Sequence, residues 1–311
     1  MKIFRLIQVA VTGILLCPLL VAAQATQPSA KAPAQTPSQT PSQTPSQTPA
    51  QSNKPLAFHP LNQRTTALMA AYWNPIVRYV SSKSGVPLEL KLAKNSTEGN
   101  ALAEKGAFDF LYTNHFFTPE RDALGFRVIA RPTGPGLQAQ IVVPSDSPIR
   151  SLQELDGKDV GLVSPDGFTG YWIPLDAMLR AKIKPNVSFT GNQEASVAQL
   201  KVNKIAAAGV NGLILERYAR REGFVYRALW TSQMYPDLCI MAHKRVPAAV
   251  VAAVRAALVG MDKDPEGIKV LEVSAGVVKA NSKLGFVAAE DREYDSYRAF
   301  FKSTLVKSSP K

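Results

Sequence analysis

The residues with the clearest capacity for chemistry lie together at positions 159–174. An apolar segment there predicts a strand, which runs into a turn rich in proline, aspartate and glycine and then into a helix. Free backbone N–H groups and the positive end of the helix dipole meet at such a turn and favour an anion. Thr169 adds a hydroxyl donor, and Gly170 lets a ligand approach the backbone closely. An ordinary turn capped by Asp166 or Thr169 explains the same residues, so the motif alone leaves both interpretations open.

No catalytic motif accompanies this turn. The sequence contains no GxSxG, HExxH or GxxxxGKS/T pattern, and no GxGxxG that opens a strand–helix–strand unit. His59, His115 and His243 fall in unrelated segments, and no cysteine or histidine spacing suits a structural metal. We therefore expect a binding protein, and neither an enzyme nor a protein with a metal or cofactor.

The formal net charge of the 311 residues is +12, which steers anionic partners toward the protein without identifying them. The densest basic cluster, Arg217, Arg220 and Arg221, lies on a predicted helix. We expect no stacking aromatic side chains among them on the same face of that helix. We therefore interpret the cluster as a solvated helix surface and expect no nucleic-acid partner.

The N-terminus has the pattern of an export signal. Lys2 and Arg5 precede an almost uninterrupted apolar run at residues 6–23, and Ala25 lies in a small-residue cleavage site. We expect residues 1–25 to be a signal peptide that directs the protein to the periplasm and is then removed. The apolar run is at the short end of what a membrane span needs, so an uncleaved anchor is the alternative.

Residues 26–53 form a low-complexity segment in which Gln-Thr-Pro-Ser units repeat. Such a segment buries too little apolar surface to offset the entropy lost on ordering. Because regular prolines favour extended polyproline II, we expect a disordered, semi-stiff linker rather than a domain.

From residue 54 onward, short apolar segments alternate with amphipathic ones. Helices are predicted at 64–84, 97–105 and 290–304, and a further helical stripe follows residue 250. Strands that alternate with helices favour an α/β protein with largely parallel sheets. The strands are predicted at 56–59, 86–92, 108–113, 128–130, 140–143, 159–163, 187–189, 205–210 and 238–242.

The turn and several other segments resemble one family. Residues 161–174 resemble the DPxSTSGYLxP signature of the periplasmic phosphate-, phosphite- and phosphonate-binding proteins of ABC transporters. The sequence is therefore identified as a member of this family. Five further segments resemble other motifs of the family and occur in the same order along the chain. These segments are residues 72–80, 104–110, 149–158, 229–232 and 286–294.

The resemblance implies a type II periplasmic binding fold, with two α/β lobes that each hold a mostly parallel sheet flanked by helices. It places residues 54–143 and 246–311 in lobe 1 and residues 144–245 in lobe 2, with hinges near 143–147 and 243–246. A ligand would bind in the cleft between the lobes, which would close by a hinge motion.

The implied function is the solute-binding component of an ABC importer. Such a protein would be a monomer that captures a small anionic solute, phosphonate-like or phosphate-like, and passes it to a membrane permease. A sensory protein of the same fold, which signals occupancy to a membrane kinase, is the alternative.

The ligand residues that the resemblance implies lie at strand ends and helix starts of both lobes. For the aromatic residues among them, core packing is the alternative role, and for Asn114 a role in a turn. Lobe 1 is expected to contribute His59, Tyr112, Thr113 and Asn114. Lobe 2 is expected to contribute Asp166, Thr169, Gly170, Tyr171, Gln193 and Asn211.

The sequence departs from the family signature where the anion would bind. Gly167, Phe168 and Thr169 replace a Ser-Thr-Ser run, and Gln193 stands where the family has a histidine. A buried dianion needs donors for nearly all its oxygen atoms, and an unmet charge costs several kcal/mol. We therefore expect a ligand other than a simple alkylphosphonate, with a phosphate ester or an organic acid left open.

Overall fold

A computed structural model of the protein describes residues 54–279 and 285–307. These residues form two β-sheets flanked by helices. The strands are β1 (Leu56–Pro60), β2 (Leu88–Leu90), β3 (Phe110–Thr113), β4 (Phe126–Pro132), β5 (Ala139–Pro144), β6 (Asp159–Leu162), β7 (Asn186–Phe189), β8 (Ala207–Asn211), β9 (Tyr226–Thr231), β10 (Cys239–His243) and β11 (Phe286–Ala288). The α-helices are α1 (Thr66–Ser84), α2 (Ser96–Glu104), α3 (Pro119–Asp122), α4 (Ile173–Arg180), α5 (Gln193–Lys201), α6 (Gly212–Glu222), α7 (Ala248–Val259), α8 (Pro265–Val277) and α9 (Asp295–Ser303). Short 3-10 segments lie at Gln153–Leu155 and Asp291–Tyr294, and a π-helical turn lies at Phe168–Trp172.

The first sheet has the strand order β11-β4-β10-β3-β1-β2, and the second has the order β7-β6-β8-β5-β9. Strand β1 pairs in parallel with β2 and β3, and β6 pairs in parallel with β7 and β8. Strands β10 and β5 run antiparallel to their neighbours. The expected α/β class with two sheets is confirmed, and the sheets are mixed rather than mostly parallel. The reason is that β5 and β10 each enter their sheet directly from the other one, without the helical crossover of a parallel connection.

The chain passes between the sheets at residues 133–138 and 232–238, where two crossing segments lie side by side. Leu137 and Tyr235 exchange backbone hydrogen bonds across them, with N···O distances of 2.7 and 2.8 Å. The hinges predicted from the sequence, near 143–147 and 243–246, each lie one strand further along the chain than these crossings. The prediction assigns β5 to lobe 1 and β10 to lobe 2. In the structure β5 belongs to the second sheet and β10 to the first. Local apolar patterns identify a strand, but they contain no information on the sheet that the strand joins.

Helix α1 illustrates how the sequence sets the bounds of an element. Thr65 begins the helix by accepting a hydrogen bond from the backbone N–H of Leu68 at 3.4 Å. Gly85 ends it with a left-handed φ of 68°, which a glycine adopts without strain. Trp73 lies on the buried face of the helix, within the cluster that covers the first sheet. The helix expected at 64–84 is therefore confirmed.

We call the first sheet with its flanking helices the first lobe, and the second sheet with its flanking helices the second lobe. The interior of the first lobe contains the thiol of Cys239, on β10. The thiol donates a hydrogen bond to the carbonyl oxygen of Thr113, with an S···O distance of 3.2 Å. Burial raises the pKa of this thiol well above its ordinary value. Among the helices that the structure describes, none is long and apolar enough to cross a membrane.

Candidate functional site

The turn predicted to bind an anion follows β6 at the carboxyl-terminal edge of the second sheet. Strand β8 ends at the same edge, and the loop after β7 leads there to the start of α5. Loops that follow neighbouring parallel strands converge at such an edge, which is where α/β proteins commonly bind ligands. The structure gathers four of the predicted ligand residues at this edge, namely Thr169, Gly170, Gln193 and Asn211.

The helical segment after the turn begins with a π-helical turn at Phe168 and continues as α4. Gly167 precedes it, and among the described residues no side chain caps its first backbone N–H groups. Capping by Asp166 or Thr169, which the sequence left open, is thus not what the structure shows. Backbone N–H groups at the start of a helix that no side chain caps retain their capacity to bind an anion.

The side chain of Gln193 connects the loops at this edge. Its Oε1 accepts a hydrogen bond from the backbone N–H of Asn211 at 2.8 Å, and its Nε2 donates to Oγ1 of Thr169 at 3.5 Å. Because Oγ1 of Thr169 accepts from Gln193, the hydroxyl hydrogen is available for another acceptor. Thr169 is buried, so a hydrogen bond from it to a ligand would be shielded from water.

Gly170 lies where a larger residue has no room. A Cβ atom at this position would overlap the side chain of Val163 and would lie 2.9 Å from Nε2 of Gln193. The carbonyl oxygen of Gly170 accepts from the backbone N–H of Val163 at 2.8 Å, which folds the start of the helix onto the end of β6. Close packing of the turn therefore explains the glycine.

Asn211 ends β8 and begins α6. Its Oδ1 accepts hydrogen bonds from the backbone N–H groups of Leu213 at 2.9 Å and Ile214 at 3.3 Å, so this oxygen caps the helix. The amide nitrogen of the same side chain is the part that has donors to offer a ligand.

Asp166 forms an ion pair between the lobes rather than a helix cap. Its Oδ1 lies 3.0 Å from Nη1 of Arg121 in α3, and Nε of Arg121 lies 2.9 Å from Oε1 of Glu104. The side chains of Arg121 and Asp166 are 18% and 21% exposed. A free carboxylate would repel an anion at this turn, and the pairing with Arg121 offsets that charge.

His115 lies near this ion pair, on the side of the first lobe. It is buried, and its Nδ1 lies 3.2 Å from Nδ2 of Asn100, a geometry that makes Nδ1 the acceptor. Burial lowers the pKa of His115 to about 4, while the charge of Asp166 opposes this shift and the charge of Arg121 adds to it. The imidazole is therefore neutral at neutral pH.

Thr113 and Asn114, both expected in the site, are buried at the end of β3. Oγ1 of Thr113 accepts from the backbone N–H of His115 at 3.0 Å, and Nδ2 of Asn114 donates to the hydroxyl of Tyr297 at 3.5 Å. These bonds hold the loop that carries His115 toward the second lobe.

The remaining three predicted residues, His59, Tyr112 and Tyr171, have their rings against other aromatic rings or in a core. His59 stacks on Phe108 with ring centroids 4.3 Å apart, and Tyr112 contacts Trp73 at 4.8 Å. Tyr171 is buried in the core of the second lobe. Tyr171 therefore has the core-packing role that the sequence left open for aromatic residues, whereas Tyr112 is half-buried beside the cluster that covers the first sheet.

Phe168, which replaces a hydroxyl residue of the family signature, is buried among aromatic rings. Its ring centroid lies 4.2 Å from that of Tyr297 and 5.0 Å from that of Tyr235. The side chain therefore packs into the interior of the protein itself.

Three residues around the contact between the lobes were not among the ligand residues predicted from the sequence. They are Arg121, His115 and Asn100. Arg121 and Asp166 are 45 positions apart, so no local pattern could signal their contact. The position of His115, directly after Asn114 at a strand end, was the one available hint. Within residues 54–279 and 285–307, no group of three acidic, histidine or cysteine side chains could hold a metal ion.

Two mixed α/β sheets, joined by two adjacent crossings, define a two-lobed periplasmic binding protein of type II. A family model described as the periplasmic substrate-binding protein of phosphonate ABC transporters matches residues 58–294, and the chain belongs to this family. Members of the family bind a small molecule in the periplasm and work with the permease of an ABC transporter. They are substrate-binding proteins and not enzymes.

Solved structures share the fold at low sequence identity. PhnD1 from Prochlorococcus marinus, in complex with methylphosphonate, is 14% identical with a TM-score of 0.65, over 79% of this chain and 97% of that one. The binding component of a phosphonate ABC transporter from Pseudomonas aeruginosa is 15% identical with a TM-score of 0.63, over 80% of this chain and 86% of that one. A Xanthomonas citri protein bound to ATP is 16% identical with a TM-score of 0.64, over 79% of this chain and 96% of that one. No curated protein matches the sequence.

Proposed function

We propose that this protein captures a small anionic solute between its lobes and passes it to the permease of an ABC importer. The hydrogen bonds of Gln193 carry the proposal. The side chain of Gln193 holds Asn211 and Thr169 together at the carboxyl-terminal edge of the second sheet. The hydroxyl hydrogen of Thr169, the amide nitrogen of Asn211 and the N–H groups at the start of the helical segment then form the anion-binding face.

The first lobe contributes the opposite face. Asn114, Thr113 and neutral His115 lie at the end of β3, and the ion pair between Arg121 and Asp166 brings the two lobes into contact there. We propose that the lobes divide at the two crossings and close around the ligand by rotation about them.

The ligand is proposed to need fewer hydrogen-bond donors from the protein than a dianionic alkylphosphonate does. Of the three signature positions, Gly167 has no side chain and Phe168 packs against Tyr297, so Thr169 alone offers a hydroxyl. His115 adds no positive charge at neutral pH because burial lowers its pKa. A phosphate diester or an organic acid that carries a single negative charge suits these donors better.

Calorimetric titration of the ligand-free protein tests the ligand class. The panel consists of phosphate, phosphite, methylphosphonate and 2-aminoethylphosphonate, with glycerophosphocholine for the phosphate esters and lactate for the organic acids. We expect the tightest binding from one of the last two compounds. Micromolar or tighter binding of any of the first four would show that backbone donors suffice for a phosphonate head, and the ligand class would be wrong.

Substitution of Thr169 tests the site. With the best compound of the panel, Thr169→Ala should weaken binding by about 1–3 kcal/mol, because a buried anion loses a hydrogen-bond donor. Thr169→Ser keeps the hydroxyl and serves as the matched control, with a smaller loss. Unchanged affinity in alanine variants of Thr169, Gln193 and Asn114 would remove the assignment of the site.

The transport role of the family favours import over the sensory role considered from the sequence. Export through a cleaved leader stays a prediction, because residues 1–25 and 26–53 lie outside the described residues. The monomeric state and the lack of a nucleic-acid partner also stay predictions. The expectation that no aromatic side chain accompanies the basic cluster was wrong, because the guanidinium of Arg221 lies over the ring of Tyr218, 5.1 Å from its centroid.

A further inference from the structure

Helix α9 is attached to the first lobe by an ion pair and by ring contacts. Nη2 of Arg298 lies 2.9 Å from Oδ1 of Asp122 in α3, and the side chain of Arg298 is 15% exposed. The ring of Tyr297 lies 5.0 Å from that of Phe117 between centroids. These contacts make α9 part of the first lobe.

The same helix also contacts the second lobe, at the segment that carries the candidate anion turn. Tyr297 stacks on Phe168 at 4.2 Å, and Phe301 contacts Trp172 at 5.3 Å. Phe168 and Trp172 are the first and last residues of the π-helical turn that holds Thr169. The lobes therefore share an aromatic cluster that adjoins the second crossing, where the ring of Tyr235 lies 5.4 Å from that of Tyr297.

After α9 the chain leaves the helix in an extended conformation at Thr304 and continues onto the second lobe. The hydroxyl of Thr304 donates to Oδ1 of Asp176 at 2.9 Å, and the backbone N–H of Leu305 donates to the same oxygen at 2.7 Å. Asp176 is 5% exposed, so its carboxylate depends on such donors. Val306 follows and is buried in the core of the second lobe.

We propose that residues 304–307 are a third connection between the lobes, and that Phe168 and Asp176 are the positioning residues that attach it. Phe168 holds the start of the helical segment against α9, and Asp176 holds its later part through α4. Both lie on the segment that presents Thr169, so the C-terminal residues position the anion-binding face relative to the first lobe.

The consequence concerns the range of lobe motion. Rotation about the two crossings alone would separate Phe168 from Tyr297 and draw Val306 out of the second core. Each separation exposes apolar surface, and release of Asp176 leaves a buried carboxylate without two of its donors. The third connection therefore holds the lobes near the arrangement in which Arg121 reaches Asp166.

Distances between the lobes test this proposal without any ligand, so its outcome does not depend on the proposed solute. Spin labels are attached to cysteines introduced by Lys94→Cys in the first lobe and by Val202→Cys, at an exposed position in the second. Cys17, in the predicted signal peptide, is replaced by Ser so that an uncleaved leader carries no label. Cys239 is buried and stays unlabelled. Double electron–electron resonance then measures the distribution of distances between the two labels.

The perturbing variant is Val306→Asp, which places a charge in the second core and displaces the connection. The matched control is Leu305→Asp, because Leu305 is adjacent, is 50% exposed and keeps its backbone N–H. We expect one narrow distribution for the parent protein and the control, and an added population at longer distances for Val306→Asp. A chain that ends at Ser303 should behave like Val306→Asp, and it replaces that variant if the latter does not fold.

Two results would overturn the proposal. One is a distribution for both Val306→Asp and the shortened chain, each folded by circular dichroism, that matches the parent protein. The other is an equal shift in Leu305→Asp, which would show that the effect does not come from release of the buried contacts.

Discussion

A change of pH from 7 to 5 should destabilise this protein through His115. Burial lowers the pKa of this histidine to about 4 in the folded chain, whereas the ordinary value is 6.5. Between these two values the unfolded chain binds a proton that the folded chain excludes, so stability falls as the pH falls. The contribution of His115 is fully present above pH 6.5 and is lost progressively toward pH 4.

The size of the effect follows from the two pKa values. Linkage of one proton with pKa values of about 4 and about 6.5 lowers the free energy of unfolding by about 2 kcal/mol between pH 7 and pH 5. Urea unfolding at the two pH values measures this difference, with the slope of the transition as a check that the same surface is exposed.

The variant His115→Gln isolates the contribution, because glutamine does not titrate and its amide oxygen can accept from Asn100. We expect its stability to depend on pH less than that of the parent protein, by about 2 kcal/mol between pH 7 and pH 5. His243→Gln is the matched control, since His243 is less buried, and it should change the pH dependence less. Identical pH dependence in His115→Gln and the parent protein would refute the reasoning.

Two further predictions concern the turn and the leader. Gly170→Ala should lower the free energy of unfolding by about 1–3 kcal/mol, because the new Cβ atom would overlap Val163. Gly276→Ala in α8 is the matched control and should be neutral or stabilising, because the space around that position is open. Equal melting temperatures for the two variants would contradict the packing argument. N-terminal sequencing of protein from a periplasmic extract should begin close to Thr26, and Met1 retained in a membrane fraction would indicate an uncleaved anchor instead.

Local sequence patterns predicted most of the regular elements, because helix caps and apolar periodicity are properties of neighbouring residues. Helix α1 and strand β8 lie close to their predicted positions. Strand β9 was missed, since it is half-exposed and carries Arg227 within its apolar pattern. The choice of sheet for β5 and β10 was wrong, since pairing between distant strands leaves no local signal.

In the candidate site, too, local sequence predicted some residues, and contacts between distant segments determined the others. Thr169, Gly170 and Gln193 could be chosen from turn chemistry and from the family signature, and the structure gathers them. The burial of Tyr171 could not be foreseen, because an aromatic residue near a strand end suits either a cleft or a core. The contact of Asp166 with Arg121 depends on how two lobes meet, which no segment of sequence encodes by itself.

The position of Cys239 has a consequence for the compartment in which this family works. The thiolate is the form that attacks disulfides and reacts with oxidants, and burial keeps this sulfur protonated by raising its pKa. The bacterial periplasm is oxidising, so an accessible thiol there would enter mixed disulfides or be oxidised. With its hydrogen bonded to Thr113 inside the first lobe, Cys239 can remain reduced in the periplasm once the lobe has folded.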